Sequence, residues 1–220
     1  MRLLPPIKNC KICFKEIKID DMCRLFDKDI CICQQCQKLI EPKFIGFKAS
    51  GYKALAFYDY NEFIKQQIYL FKGCFDYEMK DVFLNLFIKE TKLYYSRYVV
   101  IPIPSYSKDD EIRGFNHVVE VFKNLGVKLL PIIEKTAHFK QAENSAKKRQ
   151  DIKKHLALKE QVDLSKQRVL LVDDIYTTGS TMAASIKLIE KLNPKEIRVL
   201  VLAKTNDKDY KKPNTNNSLH

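Results

Sequence analysis

Arg168-Val169-Leu170-Leu171-Val172-Asp173-Asp174-Ile175-Tyr176-Thr177-Thr178-Gly179-Ser180-Thr181 is the stretch whose reading decides the fold. Val169 to Val172 is an apolar run of strand length. It enters two acids and then a short loop of hydroxyl residues around one glycine. A helical pattern follows from Met182 to Leu192, closed by Asn193-Pro194, and Ile197 to Leu202 reads as a second strand. Strand, helix and strand in that order make one βαβ unit, which requires a parallel sheet.

The chemistry follows from that geometry. Open parallel sheets bind ligands beyond the carboxyl ends of their strands. There the loop aims backbone N–H groups at one spot, and a helix starting near Ser180 adds the positive end of its dipole. Gly179 permits close backbone approach and a left-handed conformation. Thr177, Thr178, Ser180 and Thr181 supply hydroxyl donors. Such a cradle suits a phosphate monoester. The paired carboxylates before it suit vicinal hydroxyls, or a Mg2+ ion held over them. A phosphate and a diol together describe a ribose 5-phosphate. No Gly-Lys-Ser/Thr occurs here, which excludes a Walker loop.

Val169 to Thr181 resembles the phosphoribosyl pyrophosphate (PRPP) motif of type I phosphoribosyltransferases throughout. The resemblance implies that Asp173, Asp174, Ile175, Tyr176, Thr177, Thr178, Gly179, Ser180 and Thr181 form the PRPP-binding segment. Thr177 to Thr181 would hold the 5-phosphate, with Asp173 and Asp174 beside the ribose hydroxyls. Tyr176 is open to two readings, a ring that stacks on a base or a packing residue.

Cysteine spacing is the second signal. Cys10 and Cys13 form one CxxC pair, and Cys33 and Cys36 form another. Each pair turns both thiolates toward one point, and together they fit a tetrahedral zinc site. A closed four-thiolate site is structural, and metal binding would supply folding free energy to a segment too small for its own core. Cys23 and Cys31 are spare, Cys31 being able to replace Cys33, and Cys74 is expected to be buried or inert.

The chain has 220 residues and a formal net charge of +12. That length allows one main domain and a small appendage. Residues 1–45 are expected to form the zinc-binding module, 46–207 the main domain and 208–220 a disordered tail. No apolar run approaches the roughly 18 residues of a membrane span, and the N-terminal segment is too short for a signal peptide, so a cytoplasmic location without membrane insertion is expected. Lys147, Lys148, Arg149, Lys153 and Lys154 with His155 form the densest basic cluster, and such charge attracts polyanions, PRPP or nucleic acid.

Between the two signals, Leu39 to Phe47 leads out of the zinc module. Tyr52 to Tyr60 reads as a strand, Glu62 to Phe71 as a helix and Tyr98 to Pro102 as a buried strand. Asp76 to Thr91 carries helical spacing, Ser105 to Ile112 reads as a polar loop, and Phe115 to Leu125 reads as a helix ended by Gly126. Val127 to Ile133 is expected to be a strand and Gln141 to Lys154 a helix. The alternation predicts an α/β fold with Rossmann-like winding. Arg113, beside Gly114 at an expected helix start, can present a bidentate guanidinium to a second anion such as pyrophosphate. Tyr52, Phe57, Tyr58 and Tyr60 are either core residues or a stacking surface.

The whole order resembles the ComF family: a double CxxC, Ile101-Pro102-Ile103-Pro104, Arg113-Gly114-Phe115-Asn116, a basic segment with Gln141 and Arg149, and the PRPP loop. His117 stands where that family usually has Gln, and Ile152 where it has Asn. The resemblance implies a type I phosphoribosyltransferase-like parallel sheet flanked by helices, with a small N-terminal four-cysteine zinc module. It also implies a role in uptake of single-stranded DNA during natural transformation, beside a helicase-like translocation partner. PRPP and Mg2+ would bind at the loop, and DNA on the basic surface. The alternatives are a catalytic phosphoribosyltransferase of nucleotide salvage, with Asp173, Asp174 and Arg113 in the catalytic site, and an inactive PRPP-sensing scaffold.

Overall fold

The computed structural model describes residues 8–17, 30–135 and 156–206. Among them, five strands form one sheet: β1 (Ile45–Ala49), β2 (Tyr52–Asp59), β3 (Tyr98–Pro102), β6 (Arg168–Tyr176) and β7 (Glu196–Lys204), in the order β1-β2-β7-β6-β3. The four strands from β2 to β3 run parallel, and β1 joins the edge antiparallel. A separate antiparallel pair joins β4 (Ile133–Lys135) to β5 (Leu156–Leu158).

Residues alternate between two cores as the pleat requires. Leu170 and Val172 of β6 and Leu200 and Leu202 of β7 face one side. Val169, Leu171, Val199 and Val201 face the other. The first side is covered by α2 (Glu62–Lys72) through Ile64, Ile68 and Phe71, and by α5 (His117–Lys123) through Val118, Val121 and Phe122. The second is covered by α6 (Ser180–Glu190) through Met182, Ile186 and Ile189. The chain therefore leaves β3 toward one face and the adjacent β6 toward the other. That divergence opens a crevice at the carboxyl ends of β3 and β6, where such sheets bind ligands.

The strand-loop-helix around residue 173 forms as its sequence predicts, as do β2, β3 and α2. Elsewhere the structure differs. Leu39 to Phe47 runs from the last residue of a short helix, α1 (Gln34–Leu39), into the first part of the edge strand β1. Ser50 and Gly51, at φ of 48° and 89°, make the two-residue reversal into β2, the left-handed pair a tight hairpin needs. The expected helix over Asp76–Thr91 is broken into a 3-10 turn at Tyr77–Asp81 and α3 (Ile88–Tyr95). Val82, Phe83 and Leu84 are all buried, which one helical face cannot achieve. The expected loop at Ser105–Ile112 contains α4 (Ser107–Arg113), which Gly114 ends at φ 81°. Of the expected strand Val127–Ile133, only Leu129 bridges Val100, and Ile133 begins β4. Pro131 lacks the N–H a continuous ladder would use.

Residues of the cysteine segment enter the first core. Cys10, Ile17, Ile32, Cys36 and Ile40 pack with Met79, Phe83 and Phe122 in one cluster. Lys11 fastens the segment by ion pairs of 2.7 Å each to Glu78 and Asp81.

Candidate functional site

At the end of β6 the backbone turns through Thr177 and Thr178, reaches Gly179 at φ 69°, and enters α6 at Ser180. A left-handed residue at this step is what lets strand pass into helix so tightly, and glycine adopts it without strain. Thr177 and Thr178 are exposed. Thr178 Oγ1 lies 3.0 Å from Ser180 Oγ, and Ser180 N–H donates weakly to Thr178 Oγ1 at 3.4 Å. Among the described residues, the N–H groups of Thr177, Thr178 and Gly179 have no protein acceptor. The loop thus offers donors at a helix N-terminus, an arrangement whose polarity favours an anion. Tyr176 belongs to the packing beneath it. Its ring lies 4.7 Å from that of Phe47, and a methyl group added at Gly179 would collide with its hydroxyl.

The two carboxylates differ sharply. Asp174 is buried. Its Oδ2 accepts from Lys72 Nζ at 2.7 Å and from His117 Nε2 at 3.1 Å, and its Oδ1 accepts from Ile175 N–H at 2.7 Å. Asp173 Oδ1 accepts from Asp174 N–H, at 2.9 Å. Burial disfavours the charge on Asp174, but the His117 hydrogen bond and the Lys72 ammonium outweigh it and hold the carboxyl well below the usual range. Burial, and then the neighbouring Asp174 charge, push Asp173 well above its ordinary value. The pair therefore keeps its charge on Asp174.

Behind the carboxylates runs a closed ring of contacts. Arg113 Nη1 lies 3.1 Å from His117 Nδ1. A guanidinium only donates, so Nδ1 accepts and Nε2 carries the proton given to Asp174. Arg113 Nε donates to the Lys72 carbonyl at 2.9 Å, which closes the ring through Lys72. Burial opposes the Lys72 charge, but Asp174 more than compensates and raises its pKa. Asp110 fastens the adjoining loop. It accepts from Arg113 at 2.8 Å, from Asn116 Nδ2 at 2.7 Å and from Ser105 Oγ. Arg113 is thus the last residue of α4, not the start of a helix, and its side chain is only 7% exposed. Lys72, Ser105, Arg113, His117, Asp173, Asp174 and Thr181 all line one open cleft of about 260 Å³.

The sulfurs of Cys10, Cys13, Cys33 and Cys36 lie within 4.8 Å of one another, a cluster that could hold a metal ion. Cys13 and Cys33 Sγ are 3.7 Å apart, close to the ~3.8 Å edge of a tetrahedron with Zn–S bonds of about 2.3 Å. Burial opposes ionisation of Cys10, but backbone N–H groups outweigh it and bring the thiol down to about 7. Cys31 stands outside the cluster. Its Sγ donates to the Asp81 carbonyl at 3.7 Å, and burial pushes the thiol up to about 12. Cys74, expected to be buried or inert, is exposed.

Lys147, Lys148, Arg149, Lys153 and Lys154, with Gln141, His155, Cys23 and the segment 208–220, lie outside the described residues. Phe57 and Tyr58 are core, and Tyr58 donates to the Phe83 carbonyl at 2.6 Å. Sequence reasoning missed Lys72, one residue past the helix expected over Glu62 to Phe71. It registered His117 merely as a departure from a family pattern, although a histidine three residues past a glycine-ended arginine helix was the available signal.

The Phosphoribosyl transferase domain family matches residues 111–217. Competence protein ComFC of Streptococcus pneumoniae is 25% identical over 221 aligned residues, covering 89% of this chain and all of that protein. Competence protein F of Haemophilus influenzae is 34% identical over 113 residues, which span 48% of this chain and about half of that protein, 49%. Among solved structures, a purine phosphoribosyltransferase from Pyrococcus horikoshii is similar over 57% of this chain and 73% of its own, at 23% identity and a TM-score of 0.38. Adenine phosphoribosyltransferase from Saccharomyces cerevisiae is similar over 77% of this chain and 86% of its own, at 16% identity and the same TM-score of 0.38. Residues 111–217 thus match a phosphoribosyl transferase domain, and a four-cysteine cluster lies ahead of them. Over most of its length the chain is similar to a competence protein ComFC.

Proposed function

We propose that this protein supports uptake of single-stranded DNA in natural transformation, from the cytoplasmic side, and that it binds PRPP with Mg2+ in the cleft at the end of β6. The unengaged amides of Thr177 to Gly179 beside Asp173 and Asp174 carry this reading. They place donors suited to a phosphate in the loop that follows directly on acceptors suited to ribose hydroxyls. In this reading Thr177 to Thr181 hold the 5-phosphate and Asp173 meets the ribose diol. Asp174 fixes Lys72 and His117, and Arg113 faces the pyrophosphate end. Hard carboxylate oxygen suits Mg2+; Asp173 would help hold it, and the ion supplies charge neutralisation to the pyrophosphate. Zinc in the Cys10, Cys13, Cys33 and Cys36 cluster is structural. DNA is met through Lys147, Lys148, Arg149, Lys153 and Lys154, and a helicase-like protein is the translocation partner. No helix among the described residues is long and apolar enough to cross a membrane.

Calorimetry with PRPP and Mg2+ tests the reading: the double variant Asp173→Ala, Asp174→Ala should bind at least an order of magnitude more weakly. Undiminished affinity would reject it. A second reading, transfer of the phosphoribosyl group to a base, is favoured by one observation, the continuity of the cleft with a larger groove through Lys72 and Arg113. Pyrophosphate release that depends on added base would select it.

A further inference from the structure

His117 lines the carboxylate cleft yet is only 6% exposed, and both of its ring nitrogens are engaged inside the protein. Three features fix the imidazole. It stands on the first residue of α5, and Asn116 caps that helix by accepting from Val119 N–H at 2.9 Å, so the backbone beneath the ring is set. Phe71 meets the ring edge to face, with centroids 6.4 Å apart and planes at 76°. Nδ1 then lies 3.1 Å from Arg113 Nη1, and Nε2 lies 3.1 Å from Asp174 Oδ2.

Donor and acceptor roles leave one arrangement. A guanidinium has only donors, and an ionised carboxylate has only acceptors. The ring between them must accept on one nitrogen and donate from the other. An imidazolium would turn a second N–H toward Arg113, so the uncharged Nε2–H tautomer alone satisfies both neighbours. His117 and Lys72 share the same oxygen, Asp174 Oδ2, while Ile175 N–H takes Oδ1. The direction of the Lys72 ammonium therefore depends on a carboxylate that His117 holds from the other side. We propose that His117 is a positioning residue of the cleft: as the Nε2–H tautomer it ties Asp174 to Arg113, and through Asp174 it aims the Lys72 ammonium into the cleft. Its task is that of an amide. Glutamine also ends in an acceptor and a donor group, whereas leucine offers neither. The functional consequence, though not the tautomer, rests on the reading of the cleft as a PRPP site.

Nitrogen-15 NMR of the full chain, labelled at its four histidines, reads the tautomer directly. The His117 signals, assigned by their loss in His117→Gln, should show an unprotonated Nδ1 and a protonated Nε2 at neutral pH. The opposite tautomer, an exchanging average of the two, or an imidazolium overturns the proposal. Calorimetry with PRPP and Mg2+ reads the consequence. His117→Gln should bind within about three-fold of the parent, and His117→Leu on the order of ten-fold more weakly, as for loss of one charge-assisted hydrogen bond. Should the Leu variant fail to fold, His117→Asn replaces it, since its shorter amide does not span both partners. Losses of equal size in the Gln variant and in the Leu or Asn variant are what a packing role gives, and they overturn the proposal, as does unchanged binding in both. A parent protein that binds no PRPP sinks the cleft reading alone. The tautomer then decides the proposal, together with melting temperatures in which the Gln variant stays near the parent and the Leu or Asn variant falls below it.

Discussion

Replacing Lys72 by Met should destabilise the protein in a way that fades with acid. Lys72 Nζ sits 2.7 Å from Asp174 Oδ2. At an effective dielectric constant near 20, that separation corresponds to about 6 kcal/mol of gross attraction. The Lys72 side chain is 39% exposed, so solvent screens much of it. His117 still donates to Asp174 after the change, which softens the loss further. Removing one member of a fully buried pair costs about 3–5 kcal/mol and of an exposed pair about 0–1. This half-buried case falls near ~2 kcal/mol, or roughly 4–8 °C in melting temperature for a chain of this size. The pH dependence follows from Asp174, whose folded carboxyl is held below its ordinary 3.8. Its contribution is complete above that value and lost as pH falls through the folded one. Thermal melts of parent, Lys72→Met and Lys72→Arg across neutral and acid pH read all of this. The Met variant should melt lower at neutral pH and converge with the parent in acid, with the Arg variant in between. Equal melting at neutral pH, or a deficit that does not shrink in acid, would refute the assignment of charge to Asp174.

The partner acid behaves oppositely. The pKa of Asp173 is raised in the folded state, so Asp173→Asn should increase stability at neutral pH by roughly 0.5–2 kcal/mol, read as a higher melting temperature, with the gain vanishing below the ordinary carboxyl range; calorimetry should show PRPP binding lost in the same variant. Gly179→Ala should destabilise by about 1–3 kcal/mol, combining a left-handed backbone with a collision against Tyr176, and a chemical denaturation midpoint will show it. Cys10→Ser or Cys36→Ser should remove bound zinc and lower solubility, whereas Cys31→Ser should retain zinc; elemental analysis of purified variants distinguishes them.

How much was legible in the sequence depended on whether the signal was local. Val169 to Thr181 combines an apolar strand, acids, hydroxyls and glycine within thirteen consecutive positions, so strand, loop and helix start were all readable. The cysteine pairs were readable for the same reason, because a CxxC turn is made by its own residues. Lys72 was not readable, since its role comes from Asp174 at a sequence separation of 102. Arg113 was seen but given a free guanidinium. Asp110 one turn earlier, His117 one turn later and the Lys72 carbonyl engage it instead. The helix over 107–113 escaped notice because it buries none of its residues and so has no apolar stripe.

The family match begins at residue 111, yet Lys72, whose ammonium lies 2.7 Å from Asp174, comes from α2, well ahead of it. The same face of the sheet that receives α2 also receives Cys10, Ile32 and Ile40. Chelation should consequently propagate: stripping the metal would loosen the apolar layer on which α2 and α5 rest, and with it the wall that delivers lysine and histidine to the acids. A calorimetric scan should then register one cooperative endotherm that shifts as a unit when chelator is added, and a chain shortened to begin at residue 46 should be a poor surrogate for the whole.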